Sequence, residues 1–400
     1  MAGVEIPIAP ARSTRSALRS HAAPLGVLLL LLAASGLLGQ THGARPGILL
    51  VLGAALGITL FHSSFSFAAS WRAFVMRGEG EGIRAQLLLL ACASVLFIPT
   101  LAAGHVFGQP VSGSVAPLSV SLLAGACLFG IGMQLGGACG SGTLYLAGSG
   151  NVRMMVTLAF FVLGSLVATA HVPWWFARPG IDGIDLIGRL SAPQTIAVQL
   201  LVLGALALVT LYLEPLAPRP RRVPPPRRGW SRVARGPWPL AAAALMLAVL
   251  ELLTLAIAGH PWSITYGFTL WGAELAMALG LDLGGWEFWS WPYHRNALAA
   301  GIFANTTSVM DMGLLLGALL AAVLRGGPAA AMRVPLPALA AAAIGGLLMG
   351  YGARLSFGCN IGAFVAGVIS TSAHGWVWFA AALAGTALGA RLRPLFGLAA

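Results

Sequence analysis

Apolar residues run in long blocks along this chain, near 25 to 40, 47 to 70, 85 to 103, 115 to 135, 154 to 172 and 194 to 213, then near 240 to 258, 263 to 281, 297 to 324, 336 to 353 and 374 to 390. Most approach the roughly 20 residues that a helix needs to cross a hydrocarbon core of about 30 Å. The blocks are continuous rather than alternating with period two, which argues against a membrane barrel. The longest polar interruption, EPLAPRPRRVPPPRRGWSRVARGPWP at 214 to 239, combines proline, which blocks helix, with arginine, which blocks burial. The pattern predicts an all-α polytopic membrane protein with a cytoplasmic tail at 1–23, a membrane repeat at 24–213, a basic cytoplasmic linker at 214–239 and a second membrane repeat at 240–400.

Composition agrees. With 58% hydrophobic and 8% charged residues and a mean hydropathy of +0.86, the chain has too little polar surface to stay wet as a soluble globule. The net charge of +12 comes from arginine alone and sits in loops, where it reports orientation and implies no nucleic-acid partner. Arg12, Arg15 and Arg19 before the first apolar run resemble a signal peptide, but no cleavage site is convincing and further spans follow, so an uncleaved first helix is expected. Arginines in the tail, the 72 to 84 loop and the linker put all three in the cytoplasm, with six crossings between tail and linker. Arg325 with Arg333, and Arg391 with Arg393, belong there too. Satisfying both requires 282 to 310 to supply an extra crossing or a re-entrant piece.

The two halves contain a repeat. GACLFGIGMQLGGACGSG (125 to 142) aligns without a gap on GGLLMGYGARLSFGCNIG (345 to 362), with seven of eighteen positions identical, Cys139 and Cys359 among them. The orientation argument makes the Cys359 segment enter from the face opposite the Cys139 segment. The halves are then pseudo-symmetric inverted repeats, each with a short re-entrant or broken helix carrying a cysteine to a common midplane site. Broken backbone at membrane depth survives only where it is buried in protein or lines a hydrated path. A half-helix starting after each cysteine would aim free N–H groups into that path, which suits an anion. A thiol adds a weak donor and a soft, polarizable surface, which suits an anion that itself exposes sulfur.

The other two cysteines, Cys92 and Cys127, read as small apolar fillers. None of the four has the CxxC or histidine-paired spacing of a metal or redox site, so no metal and no cofactor is expected. No nucleotide-binding motif offers ATP drive. Ionisable residues inside apolar blocks are Glu251, Glu274, Asp311, Arg354 and His62, each serving either a pathway or a structural ion pair. Arg354, five residues before Cys359, would draw an anion or pair with Glu251 or Glu274. The tryptophans of PWWF (173 to 176) and GGWEFWSWPY (284 to 293) read as interface anchors. The rival to a transporter is a membrane-bound thiol enzyme, a sulfurtransferase or oxidoreductase, but no neighbour in sequence activates either cysteine.

Several stretches resemble the YeeE/YedE family of bacterial inner-membrane proteins, also called the sulphur-transport family. They are LGITLFHSSFSFAASWRAF and GIGMQLGGACGSGTLY in the first half. In the second they are HPWSITYGFTLWGAELAMALG, NTTSVMDMGLLLGALLAA, GGLLMGYGARLSFGCNIGAFVAGVIS and HGWVWF. The resemblance implies uptake of thiosulfate or a related sulfur compound through an hourglass of inverted repeats, with thiols passing the anion by hydrogen bonds and no covalent intermediate. Cys139 and Cys359 match the central cysteines. Ser66 and His62 would line an approach, and Gly140, Gly142, Asn360 and Gly362 would shape the half-helix donors. A small soluble thiol carrier on the cytoplasmic side is implied as partner. The chain departs from the family pattern at Ser66, where thiosulfate-transporting members typically carry a further cysteine. Sulfite, sulfide-like species and selenium analogues therefore stay open as substrates beside thiosulfate.

Overall fold

The computed structural model describes residues 14–214, 229, 233, 235–327 and 334–399. Most of the 214 to 239 linker and Arg333 lie outside the described residues, as do residues 1–13 of the expected tail. The first half comprises α1 (Thr14–His42), α2 (Ala44–Ser63), α3 (Phe67–Arg77), α4 (Glu81–Ala103), α5 (Val120–Gly136), α6 (Gly140–Gly148), α7 (Val152–Phe176) and α8 (Ala192–Leu213). The second comprises α9 (Leu240–Ala258), α10 (Thr265–Ala278), α11 (Glu287–Ser290), α12 (Pro292–Ala300), α13 (Thr306–Arg325) and α14 (Leu336–Leu355). A π-helical turn (Asn360–Val365) then runs into α15 (Ala366–Ile369), and α16 (Ala373–Leu392) follows. Nine segments among the described residues are long and apolar enough to cross a membrane, so this is a multi-pass membrane protein.

Two predicted blocks fold differently. The 263 to 281 block yields only the fourteen residues of α10, about 21 Å long and too short to cross, because Gly280 at φ 87° lets the chain turn away. The 297 to 324 block is cut, since α12 ends at Ala300 and Asn305 caps α13 by accepting from Ser308 N at 3.1 Å. The 282 to 310 region therefore adds no crossing. It holds the four and nine residues of α11 and α12. Short strands also appear: β1 (His105–Val106) pairs with β2 (Gln109–Pro110), and β3 (Leu118–Ser119) with β4 (Gly180–Ile181), both antiparallel.

Backbone-to-backbone packing dominates the interior. A methyl group on Gly125 would sit 2.6 Å from the Gly352 carbonyl oxygen, and one on Gly132 would sit 2.7 Å from that of Gly345. Helices α5 and α14 are therefore antiparallel and touch where side chains are absent. Other pairs are exchanged between the halves: α7 lies along α14 while α16 lies along α5, and α2 lies along α13 while α9 lies along α4.

Arginines gather at the C-terminal end of α5. Arg393 Nη1 donates to the Gln134 carbonyl at 2.6 Å, Arg153 Nη2 to the Leu135 carbonyl at 2.6 Å, and Arg72 Nη1 to the Gln134 side-chain oxygen at 3.1 Å. Cations satisfy the last carbonyls and oppose the dipole of that helix. Gln134 is fully buried, and its amide also donates to the Ala68 carbonyl at 3.1 Å. Gln134→Leu should cost about 2 kcal/mol, because it orphans a buried arginine contact and a carbonyl. Thermal unfolding in detergent checks this, and an unshifted midpoint would contradict it.

Candidate functional site

Each cysteine stands at a helix break. After α5, Gly137 takes φ 98° and Cys139 is the extended residue before α6. After α14, Phe357 and Gly358 take φ 62° and 150°, and Cys359 is the extended residue before the π turn. Positive φ costs little at glycine but is strained at phenylalanine. Phe357 is held there by stacking on Phe176, with ring centroids 5.2 Å apart.

The breaks meet. A methyl group on Gly140 would sit 3.1 Å from Cys359 Sγ, and one on Gly142 would sit 3.4 Å from Cys139 Sγ. Both thiols are free and buried, and Cys139 Sγ lies 3.5 Å from Ser141 Oγ. The chain just before α10 also approaches the break after α14: a methyl group on Gly362 would lie 2.9 Å from Ser263 Oγ.

Polar atoms at these breaks are unusually unsatisfied. Both side-chain atoms of Asn360 and the hydroxyls of Thr143 and Thr265 are buried without a hydrogen-bond partner among the described residues, as are both oxygens of Asp311 within α13. Native interiors leave few such atoms, and each left over calls for a ligand, ion or water. Sequence reasoning missed Thr143 and Thr265, whose signal is only that each lies in the first turn or so of a helix beginning at a break.

The remaining expected residues sit elsewhere. Ser66 caps α3, its Oγ accepting from Ala69 N at 3.2 Å. His62 is buried at the end of α2 with its ring 5.2 Å from that of Trp238, and its carbonyl accepts from Trp238 N at 2.9 Å. No hydrogen bond or ring contact joins either residue to the cysteine pair among the described residues. Arg354 makes no ion pair with Glu251 or Glu274 among the described residues. Its guanidinium lies 5.4 Å from the Tyr266 ring centre, a cation–π contact that leaves Nε unpartnered. Glu251 instead accepts from Trp262 N at 3.3 Å and Glu274 from Ile302 N at 3.0 Å. The aromatic stretches meet each other, with Phe176 stacked on Trp291 at 6.2 Å, and Trp174 is largely exposed as an anchor would be. Cys92 lines an apolar groove of about 450 Å³ with Leu200 and Leu245, away from the paired cysteines.

A family model described as sulphur transport matches residues 62–388, which includes both breaks. The probable transporter YedE of Salmonella typhimurium is 29% identical over 161 residues, 40% of this chain and 39% of that protein. The chain therefore aligns with less than half of YedE's length. The thiosulfate transporter TsuA of Spirochaeta thermophila is 25% identical over 341 residues, 82% of this chain and 93% of its own length. A protein of the same name in Escherichia coli is 22% identical over 340 residues, 82% of this chain and 89% of its own.

Proposed function

This chain belongs to the sulphur transport family, and on that premise we propose that it carries a small sulfur-containing anion, thiosulfate foremost, inward across a bacterial inner membrane. The observation that carries the reading is the meeting of Cys359 Sγ with Gly140, one residue from Cys139, amid buried polar atoms that lack partners. Two thiols at one constriction give the anion successive S–H donors. Asn360, Thr143 and the N–H groups after each cysteine add stronger ones. Neither step needs a covalent bond.

The halves act as inverted repeats about an axis between α5 and α14. Repeat mates are Gly125 with Gly345 and Gly132 with Gly352, so the contact of Gly125 with Gly352 is the mate of that of Gly132 with Gly345. Such reciprocity is how a two-fold interface pairs residues, and the exchanged helix pairs support it. On this reading α3 and α10 are short pieces that dip in from opposite faces, one in each of the repeats 24–213 and 240–400. Arg354, lying against Tyr266, draws anions toward the Cys359 side. Ser66 and His62 line the route on the Cys139 side, His62 beneath Trp238. Gly140, Gly142 and Gly362 keep that route open where a side chain would meet Cys359, Cys139 or Ser263.

Growth tests the assignment. A strain unable to take up inorganic sulfur and carrying this protein is expected to grow on thiosulfate as sole source and not on sulfate. Growth on sulfate alone would sink the soft-anion reading.

A further inference from the structure

Asp311 lies in the second turn of α13, is fully buried, and neither oxygen has a hydrogen-bond partner among the described residues. A methyl group on Gly267 would sit 2.5 Å from Asp311 Oδ2, so the carboxyl packs over the first turn of α10. The chain just before that turn borders the cysteine pair, because a methyl group on Gly140 would lie 3.1 Å from Cys359 Sγ and 3.9 Å from Ile264 Cγ2. A carboxylate buried without a donor or a cation is too costly to persist, so the group carries a proton or an ion whenever the site is dry. No cluster of acidic, histidine or cysteine side chains able to hold a metal ion surrounds it among the described residues.

The elements packed on α13 are α1, α2, α6 and α10. The titratable groups they bring, among the described side chains, are His42 on α1, Arg45 and His62 on α2, Tyr145 on α6, and Tyr266 and Glu274 on α10. None hydrogen-bonds to Asp311. Arg45 donates to the Ala258 carbonyl, His62 packs on Trp238, and Glu274 accepts from Ile302. Trp271 Nε1 donates to Ser308 on α13 at 2.7 Å, much as Trp71 Nε1 donates to Gln86 on α4 at 2.8 Å.

We propose that Asp311 is a proton-binding site that couples anion uptake to the inward proton gradient. The inference rests on the transport reading above. The protonated acid tolerates an anion at Cys359, whereas the ionised acid repels it, so anion and proton cross together. The O–H bond forms with a proton from external water and breaks to return it to internal water.

Proteoliposomes holding the full chain test this with radiolabelled thiosulfate as probe. For the wild type, an inward proton gradient is expected to drive accumulation, a protonophore to abolish it, and a luminal pH dye to report acidification with uptake. Exchange at equal pH on both sides should fall by up to about tenfold per pH unit once the carboxyl ionises, and Asp311→Asn should flatten that profile. Wild-type accumulation that ignores the protonophore, or follows a sodium gradient instead, overturns the proposal, as does an Asp311→Asn variant with the wild-type profile. Should the variant not fold, wild-type proton co-movement decides. Absence of any wild-type exchange would count against the transport reading itself rather than the coupling.

Discussion

Cys359→Ala is expected to cut sulfur-compound uptake by tenfold or more while leaving the protein folded. The thiol sits at the meeting of two broken helices, against Gly140, the residue after Cys139. Hydrogen bonds to a charged partner are worth about 1.5–3 kcal/mol, and every 1.4 kcal/mol is about tenfold. Removing one sulfur from a buried site costs far less in stability than losing a large side chain. Cys139→Ala should behave alike, because its thiol occupies the repeat-related position. Cys359→Ser should retain part of the rate, since serine still donates but lacks the soft contact. Cys92→Ala and Cys127→Ala, at half-buried positions outside the breaks, should transport as the wild type does. Alanine at 139 and 359 with undiminished uptake would mean that the thiols are filler.

Gly345→Ala is expected to be strongly destabilising. The added carbon would lie 2.1 Å from the Gly136 nitrogen and 2.7 Å from the Gly132 carbonyl, both backbone atoms that cannot swing aside. Overpacking of this kind costs about 3 kcal/mol or more, so the unfolding midpoint in detergent should drop sharply and monodisperse yield should fall. The repeat-related change Gly125→Ala, 2.6 Å from the Gly352 oxygen, should act the same way. Gly204→Ala on α8 meets nothing within 4 Å and should be neutral or slightly stabilising. A wild-type midpoint for Gly345→Ala would mean that α5 and α14 do not approach as described.

The cysteine breaks were legible in the sequence because a repeat, a scarce residue and glycine punctuation coincide at Cys139 and Cys359. Spans such as α9 were legible from apolar length, whereas α10 was not, since composition does not say that Gly280 turns the chain. Of the two roles expected for Arg354, the pairing with Glu251 or Glu274 does not form, since the guanidinium rests on the Tyr266 ring and the carboxylates accept from Trp262 N and Ile302 N. Asp311 was visible as an ionisable residue in an apolar run. Its want of a partner is a tertiary outcome that no local pattern encodes. The covering of His62 by Trp238 is equally non-local, since the two lie 238 − 62 = 176 residues apart.

The central claim is non-covalent passage of a sulfur anion past Cys139 and Cys359. Proteoliposomes containing the purified protein can be incubated with radiolabelled thiosulfate, then split into luminal contents and denatured, unreduced protein. The account predicts label in the lumen as intact thiosulfate and none on the protein. An empty lumen, or label held on either cysteine as a persulfide or thiosulfate adduct, would contradict it and favour thiol chemistry over transport.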